Sequence, residues 1–178
     1  VRIADLVYFA PGIRFEDVDL SSDELPNQFK SRMLGFYVDP AEECAGRGHA
    51  FAAGVILVCC IDALARLQYA GEVGKRIRKY LSENIQSFSV PHLSSRFYHD
   101  IRNGLVHEGR LKSGCQFSLE MNVTLSIEDD ILIVNPLELS SEIRNAIDSY
   151  VERIMNDTSE RRRFVRKLKL DHEYELGG

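Results

Sequence analysis

Residues 97–114 read FYHDIRNGLVHEGRLKSG, and within them the pattern of the chain changes. Before this stretch ends, apolar residues recur every fourth position: Leu93, Phe97, Ile101 and Leu105. That spacing predicts a helix opening near Pro91 with one core-facing side, and Gly109 is placed to end it in a left-handed conformation. After it, the segment QFSLEMNVTLSIEDDILIVNP alternates apolar and polar residues at Phe117, Leu119, Met121, Val123, Leu125 and Ile127. Glu128-Asp129-Asp130 supplies a turn and Ile131–Val134 a return strand, so residues 115–134 are expected to form a β-hairpin.

Outward from this junction the chain is predominantly helical. Towards the N-terminus, AFAAGVILVCCI (50–61) is a continuous apolar run, bounded by Asp62 and too short to span a bilayer. It is expected to form a central core helix, within a helix from about residue 39 to 69 that Gly46 and Gly48 bend or split. Asp39 is placed as its N-cap, with Pro40 at the first helical position. Val73, Ile77, Tyr80, Leu81 and Ile85 form the apolar stripe of a further helix, and Phe29, Met33 and Phe36 that of a short one from Leu25 to Val38. Residues 1–25 show no clear period and are expected to be mostly irregular, with a turn at Pro11-Gly12. Beyond the hairpin, Ile143, Ile147, Val151 and Ile154 mark another core face. A basic C-terminal helix over 157–172 starts at Asp157, with Glu160 in a capping-box position.

The 178 residues suit a single domain, mainly α, a helical bundle with an appended β-hairpin. A net charge of −5 argues against a surface that coats nucleic acid throughout, while leaving room for a local basic cleft. Cys44, Cys59, Cys60 and Cys115 show no paired spacing, which suggests buried thiols in a reduced, cytoplasmic protein. Val1 in place of Met points to a missing initiator Met or short leader.

The polar groups of residues 97–114 are the candidate site. On an α-helical wheel Asn103 and His107 share a face, with Arg96 and Asp100 beside them. Arg102, five residues from His107, points roughly 140° away. A straight α-helix therefore keeps Arg102 and His107 apart. They meet only if the last turn loosens at Gly104 or Gly109, or if a second copy packs across a two-fold axis. The plainer alternative is a histidine at a helix C-terminus, stabilised by the dipole, and an arginine in a surface ion pair.

RNGLVH (102–107), an Arg with a polar residue after it and a His four positions further on, resembles the signature of the HEPN superfamily (higher eukaryotes and prokaryotes nucleotide-binding). The likeness covers roughly residues 40–165. It implies a HEPN-like helical bundle that dimerises with two motifs lining one cleft. The implied activity is metal-independent endoribonuclease, as in toxins and defence effectors, without a cofactor. The implied alternative is a non-catalytic module that binds nucleotide or RNA or simply dimerises. By position, His107 would act as general acid/base, Arg102 would hold the scissile phosphate, and Asn103 would orient His107 or donate to a phosphate oxygen. RNA or a nucleotide, a second copy and a cognate antitoxin are the implied partners, with no membrane.

Asp62 is a supporting candidate, because a carboxylate in an apolar helix is costly unless paired. It could hold Arg102 or His107 from the neighbouring helix. Otherwise it faces solvent or pairs with Arg66, four residues on. The basic runs KRIRK (75–79) and RRRFVRKLK (161–169) are either solvated helix faces or guides for an RNA backbone. With no aromatic residue between their charges except Phe164, they do not suggest base stacking. Other chemistries fail on spacing: the five histidines form no zinc-ligand pattern, GEVGKR lacks half of a phosphate loop, and Ser94 and Ser95 have no elbow around them.

Overall fold

A computed structural model describes residues 1–3, 6–112 and 114–175. It is mainly helical with two small sheets. In chain order the elements are β1 (Arg2–Ile3), β2 (Leu6–Ala10), β3 (Ile13–Arg14), α1 (Leu25–Met33), α2 (Asp39–Gly46), α3 (Ala50–Gln68), α4 (Val73–Asn84), α5 (Pro91–Arg96), β4 (Cys115–Phe117), β5 (Leu125–Glu128), β6 (Ile131–Val134), α6 (Pro136–Asn156) and α7 (Thr158–Asp171). The residues group into two compact units, Val1–Phe36 with Asn145–Gly178, and Tyr37–Arg144.

The first unit contains a feature the sequence reading missed. Residues 18–24 carry neither helix nor strand, as expected, but before them β1, β2 and β3 form an antiparallel sheet in that order. Two of its strands are only two residues long, too short to show a period, and β2 (LVYFA) carries an apolar run instead of an alternation. The expected turn at Pro11-Gly12 is there, with Gly12 at φ +74°. Behind the sheet, Phe29, Tyr150 and Phe164 pack edge to face at 5.1–6.3 Å between ring centres. Asp157 caps α7 by accepting from the amides of Ser159 and Glu160. The reciprocal half of the capping box is replaced, because Glu160 accepts instead from Arg163 at 2.6 Å. Half of the basic side chains of the α7 run are engaged: Arg161 with the Ser22 carbonyl, Arg163 with Glu160 and Lys167 with Asp171.

In the second unit, Gly46 and Gly48 separate α2 from α3 as expected. Asp39 does not act as the N-cap. Leu34–Val38 is a π turn that runs directly into α2, and Asp39 accepts from Arg144 at 2.9 Å. The widened turn accommodates Pro40, whose ring and missing N–H would disrupt an unbroken α-helix there. The core helix α3 continues past Asp62 to Gln68, close to the expected end near residue 69; at 19 residues it is long and apolar enough by length and composition to cross a membrane, with half of it buried. Its inner face (Ala53, Leu57, Val58, Cys60, Ile61, Leu64, Ala65) is buried. A Cβ on Gly54 would lie 2.3 Å from the Phe117 ring, so the missing side chain lets β4 settle onto α3.

The expected hairpin is present in β5 and β6, but residues 115–134 as a whole are a three-stranded sheet of order β4-β6-β5. β4 pairs parallel with β6, with Cys115 opposite Leu132 and Phe117 opposite Val134. Residues 118–124 leave the strand despite their alternation. There the buried Asn135 donates to the Met121 carbonyl, while its Oδ1 accepts from the Leu137 amide and caps α6. Asp129 and Asp130 make the β5–β6 turn at φ 48° and 62°. Glu142 of α6 accepts from the Ser87 amide at 3.0 Å and from the Ser87 and Thr124 hydroxyls, fixing two loops to one carboxylate.

Candidate functional site

The helix that opens at Pro91 is α only as far as Arg96. Phe97–Arg102 and Gly104–Glu108 are π turns, in which each N–H bonds five residues back. In that register residues five apart lie nearly one above the other, as residues four apart do in an α-helix. The roughly 140° that an α-helix would put between Arg102 and His107 is therefore mostly removed. The wider turn also moves the core: Phe97 and Ile101 are fully buried, but Leu105 is only half-buried. The segment ends at Gly109 with φ +67°, the expected left-handed terminus.

Gly104 makes the tight return beyond this terminus possible. The chain doubles back so closely that a Cβ on Gly104 would sit 2.4 Å from the Arg110 carbonyl oxygen. The Gly104 carbonyl accepts from the amides of Gly109 and Arg110. A small residue was expected to loosen this turn; its larger role is close approach of backbone to backbone.

Arg102 reaches across to α3. Its Nη2 lies 2.6 Å and its Nε 3.2 Å from Asp62 Oδ2, and its Nη1 donates to Asn103 Oδ1 at 3.3 Å. The Arg102 side chain is 13% exposed and that of Asp62 29%. Asp62 thus engages Arg102 from the neighbouring helix instead of simply facing solvent, which explains how a carboxylate fits within this apolar helix. Asn103 is turned to Arg102 and not to His107. His107 is exposed, and among the described residues it has no hydrogen-bond or ion-pair partner. The site is one fixed, neutralised guanidinium, with an unengaged imidazole five residues on in the π-turned segment.

Arg96 and Asp100 do not join it. Arg96 donates to the carbonyls of Gly114 and Asp130 and to Asp130 Oδ1, so it secures the β5–β6 turn. Asp100 lies 3.9 Å from Arg96, and its carbonyl accepts from the Lys112 amide. The α-wheel placed both beside His107, whereas the π register and the returning chain give them to the hairpin.

Cys59, expected in the core, is exposed on α3 one turn before Asp62; Cys44 is half-buried, and Cys60 and Cys115 are buried. The Cys59 thiol pKa is pushed up by burial and then by the Asp62 carboxylate, and pulled back by the Arg102 guanidinium. It belongs to an outer face of α3 formed with Ala52, Val55 and Ile56, none of them buried. The three-residue step from Cys59 to Asp62 was the signal for it in the sequence. Its place within an unbroken apolar run concealed it.

No family model, curated protein or solved structure matches this chain. The chemistry of the site therefore rests on its own groups. Among the described residues, no three His, Cys, Asp or Glu side chains gather as metal ligands. A guanidinium with N–H groups beyond those used by Asp62 can still hold a phosphate, and a free imidazole can move a proton.

Proposed function

We propose that the chain is a metal-independent endoribonuclease of the HEPN type, with Arg102 and His107 as its catalytic pair. The observation that supports this reading is the π register over residues 97–108, which brings His107 towards the Arg102 column while Asp62 holds the guanidinium from α3. In this mechanism Arg102 binds the phosphate through its remaining N–H groups and offsets the charge growing on it. The ribose 2′-oxygen forms a bond to phosphorus, the P–O5′ bond breaks, and a 2′,3′-cyclic phosphate and a 5′-hydroxyl result. His107 takes the proton from the 2′-hydroxyl or returns one to the 5′-oxygen. Supplying both transfers at once requires a second His107, so the active species is a homodimer. The exposed apolar face of α3 at Ala52, Val55, Ile56 and Cys59, next to Asp62, is the surface we assign to it. A role as a toxin or defence effector held in check by an antitoxin follows from the same reading.

A second reading is favoured by the engagement of Arg102. A guanidinium already neutralised by Asp62 and largely buried suits a non-catalytic module that binds nucleotide or RNA, or only dimerises. Incubation of a labelled mixed-sequence RNA in EDTA separates the two. Cleavage by the parent protein with cyclic-phosphate ends, lost by at least a hundredfold in both His107→Ala and Arg102→Ala, is expected. Folded protein that binds RNA without cleaving it would leave the second reading standing.

A further inference from the structure

The basic run of α4, KRIRK (75–79), holds no aromatic residue between its charges. In three dimensions aromatic rings come from elsewhere in the chain. The Arg78 guanidinium lies over the Tyr98 ring, 5.3 Å from its centre, and Lys79 lies 5.2 Å from the Tyr69 ring. Tyr98 comes from the first π turn and rests against α4 at Gly74, where a Cβ would be 2.8 Å from the ring. Among the described residues the Arg78 guanidinium has no hydrogen-bond or ion-pair partner, and the Tyr98 hydroxyl has no hydrogen bond; both side chains are half-exposed. Lys75 and Lys79, on the same helix, are exposed and form long ion pairs with Glu72 and Glu83, each at 3.8 Å.

Tyr98 is four residues before Arg102 on one helix. In either α or π geometry that spacing keeps the two within roughly 40° of one face, and about 6 Å apart along the axis. That is about the reach of one nucleotide. We propose that Arg78 and Tyr98 form a nucleobase-stacking subsite that binds single-stranded RNA and places the neighbouring phosphate at Arg102. The base stacks on the exposed side of the cation–ring pair, and Lys75 and Lys79 meet the backbone beyond it. Flat guanidinium and phenol groups suit unstacked bases of any identity, so the subsite selects single-stranded over duplex RNA without reading sequence.

This inference rests on the ribonuclease reading for its catalytic end, but its test does not depend on cleavage. The probe is a single-stranded RNA carrying one 2-aminopurine, titrated in EDTA with the parent, His107→Ala, Tyr98→Phe, Tyr98→Leu and Arg78→Ala proteins, each checked for folding by circular dichroism. Quenching of the base on binding is expected for the parent, for His107→Ala and for Tyr98→Phe. Tyr98→Leu is expected to bind roughly tenfold more weakly and to lose most of the quenching. Arg78→Ala should weaken binding and flatten its salt dependence. Parent-like affinity and quenching in both Tyr98→Leu and Arg78→Ala would overturn the subsite. So would failure of the parent to bind the probe. Stacking that depends on Tyr98 in a protein that never cleaves RNA would uphold the subsite and reject the nuclease.

Discussion

Each side chain at the centre of this protein takes its role from the partner it finds. Asp62 is tolerable inside an apolar helix because Arg102 supplies two N–H groups at 2.6 and 3.2 Å, and the pair is more than a surface ion pair because both side chains are largely covered. Removing one partner strands the other, so Asp62→Asn is expected to lower the unfolding free energy by about 1–3 kcal/mol in urea titrations. A double change with Arg102→Met should recover part of it. The cysteines offer a second test at this scale. Burial raises the Cys115 thiol to about 11 and raises that of Cys60 further, whereas Cys59 stands on the outer face of α3. Titration of the folded protein, diluted until it is monomeric, with a thiol-reactive chromogen at pH 8 should label Cys59 and Cys44 and leave Cys60 and Cys115 until the chain is unfolded; in the dimer Cys59 should be protected as well. Fast labelling of all four would contradict the packing described for α3.

At the scale of the element, the helix of residues 91–108 shows what a sequence pattern conveys and what it omits. Its start at Pro91, its buried Phe97 and Ile101 and its stop at Gly109 were all legible, because each depends on local sterics or on apolar spacing. The π bonding was not, since nothing in a list of side chains counts the residues in a turn. For the same reason the wheel assigned Arg96 and Asp100 to His107 and left Arg102 apart. The same limit applies to β4, where alternation from Phe117 to Ile127 suggested one long strand. The outcome was decided by Asn135, a buried polar side chain whose partners lie 14 and 2 residues away. Gly104 gives this element its own test. Gly104→Ala introduces a Cβ 2.4 Å from the Arg110 oxygen and should cost about 1–3 kcal/mol, read as a fall in melting temperature. An unchanged melting temperature would mean that the chain does not return over the helix as described.

For the whole molecule, the mainly helical architecture was legible from periodicity, while the N-terminal sheet was hidden in strands of two residues. Stability against pH is set partly by His172, which packs on Phe15 with ring centres 5.0 Å apart. Burial lowers its pKa below the ordinary 6.5, and the Arg32 guanidinium lowers it further, against the opposing pull of Glu175 and Asp171. The unfolded chain therefore binds a proton more readily than the folded one. The stabilisation is complete above about pH 6.5 and is lost as pH falls below it. Thermal melts between pH 7.5 and 5 should show that loss, and His172→Phe should make it shallower. A variant with the same slope as the parent would assign the effect to other groups.

The π turn between Arg102 and His107 also bears on which changes in length the chain can absorb. A π turn holds one residue more than an α turn, so deleting one of the residues between the two, such as the exposed Val106, would restore α bonding instead of breaking the helix. Arg and His would then be four apart in an α-helix, which again sets them nearly one above the other. Two different spacings can thus deliver one arrangement, and in this stretch a missing residue is a milder change than a misplaced one.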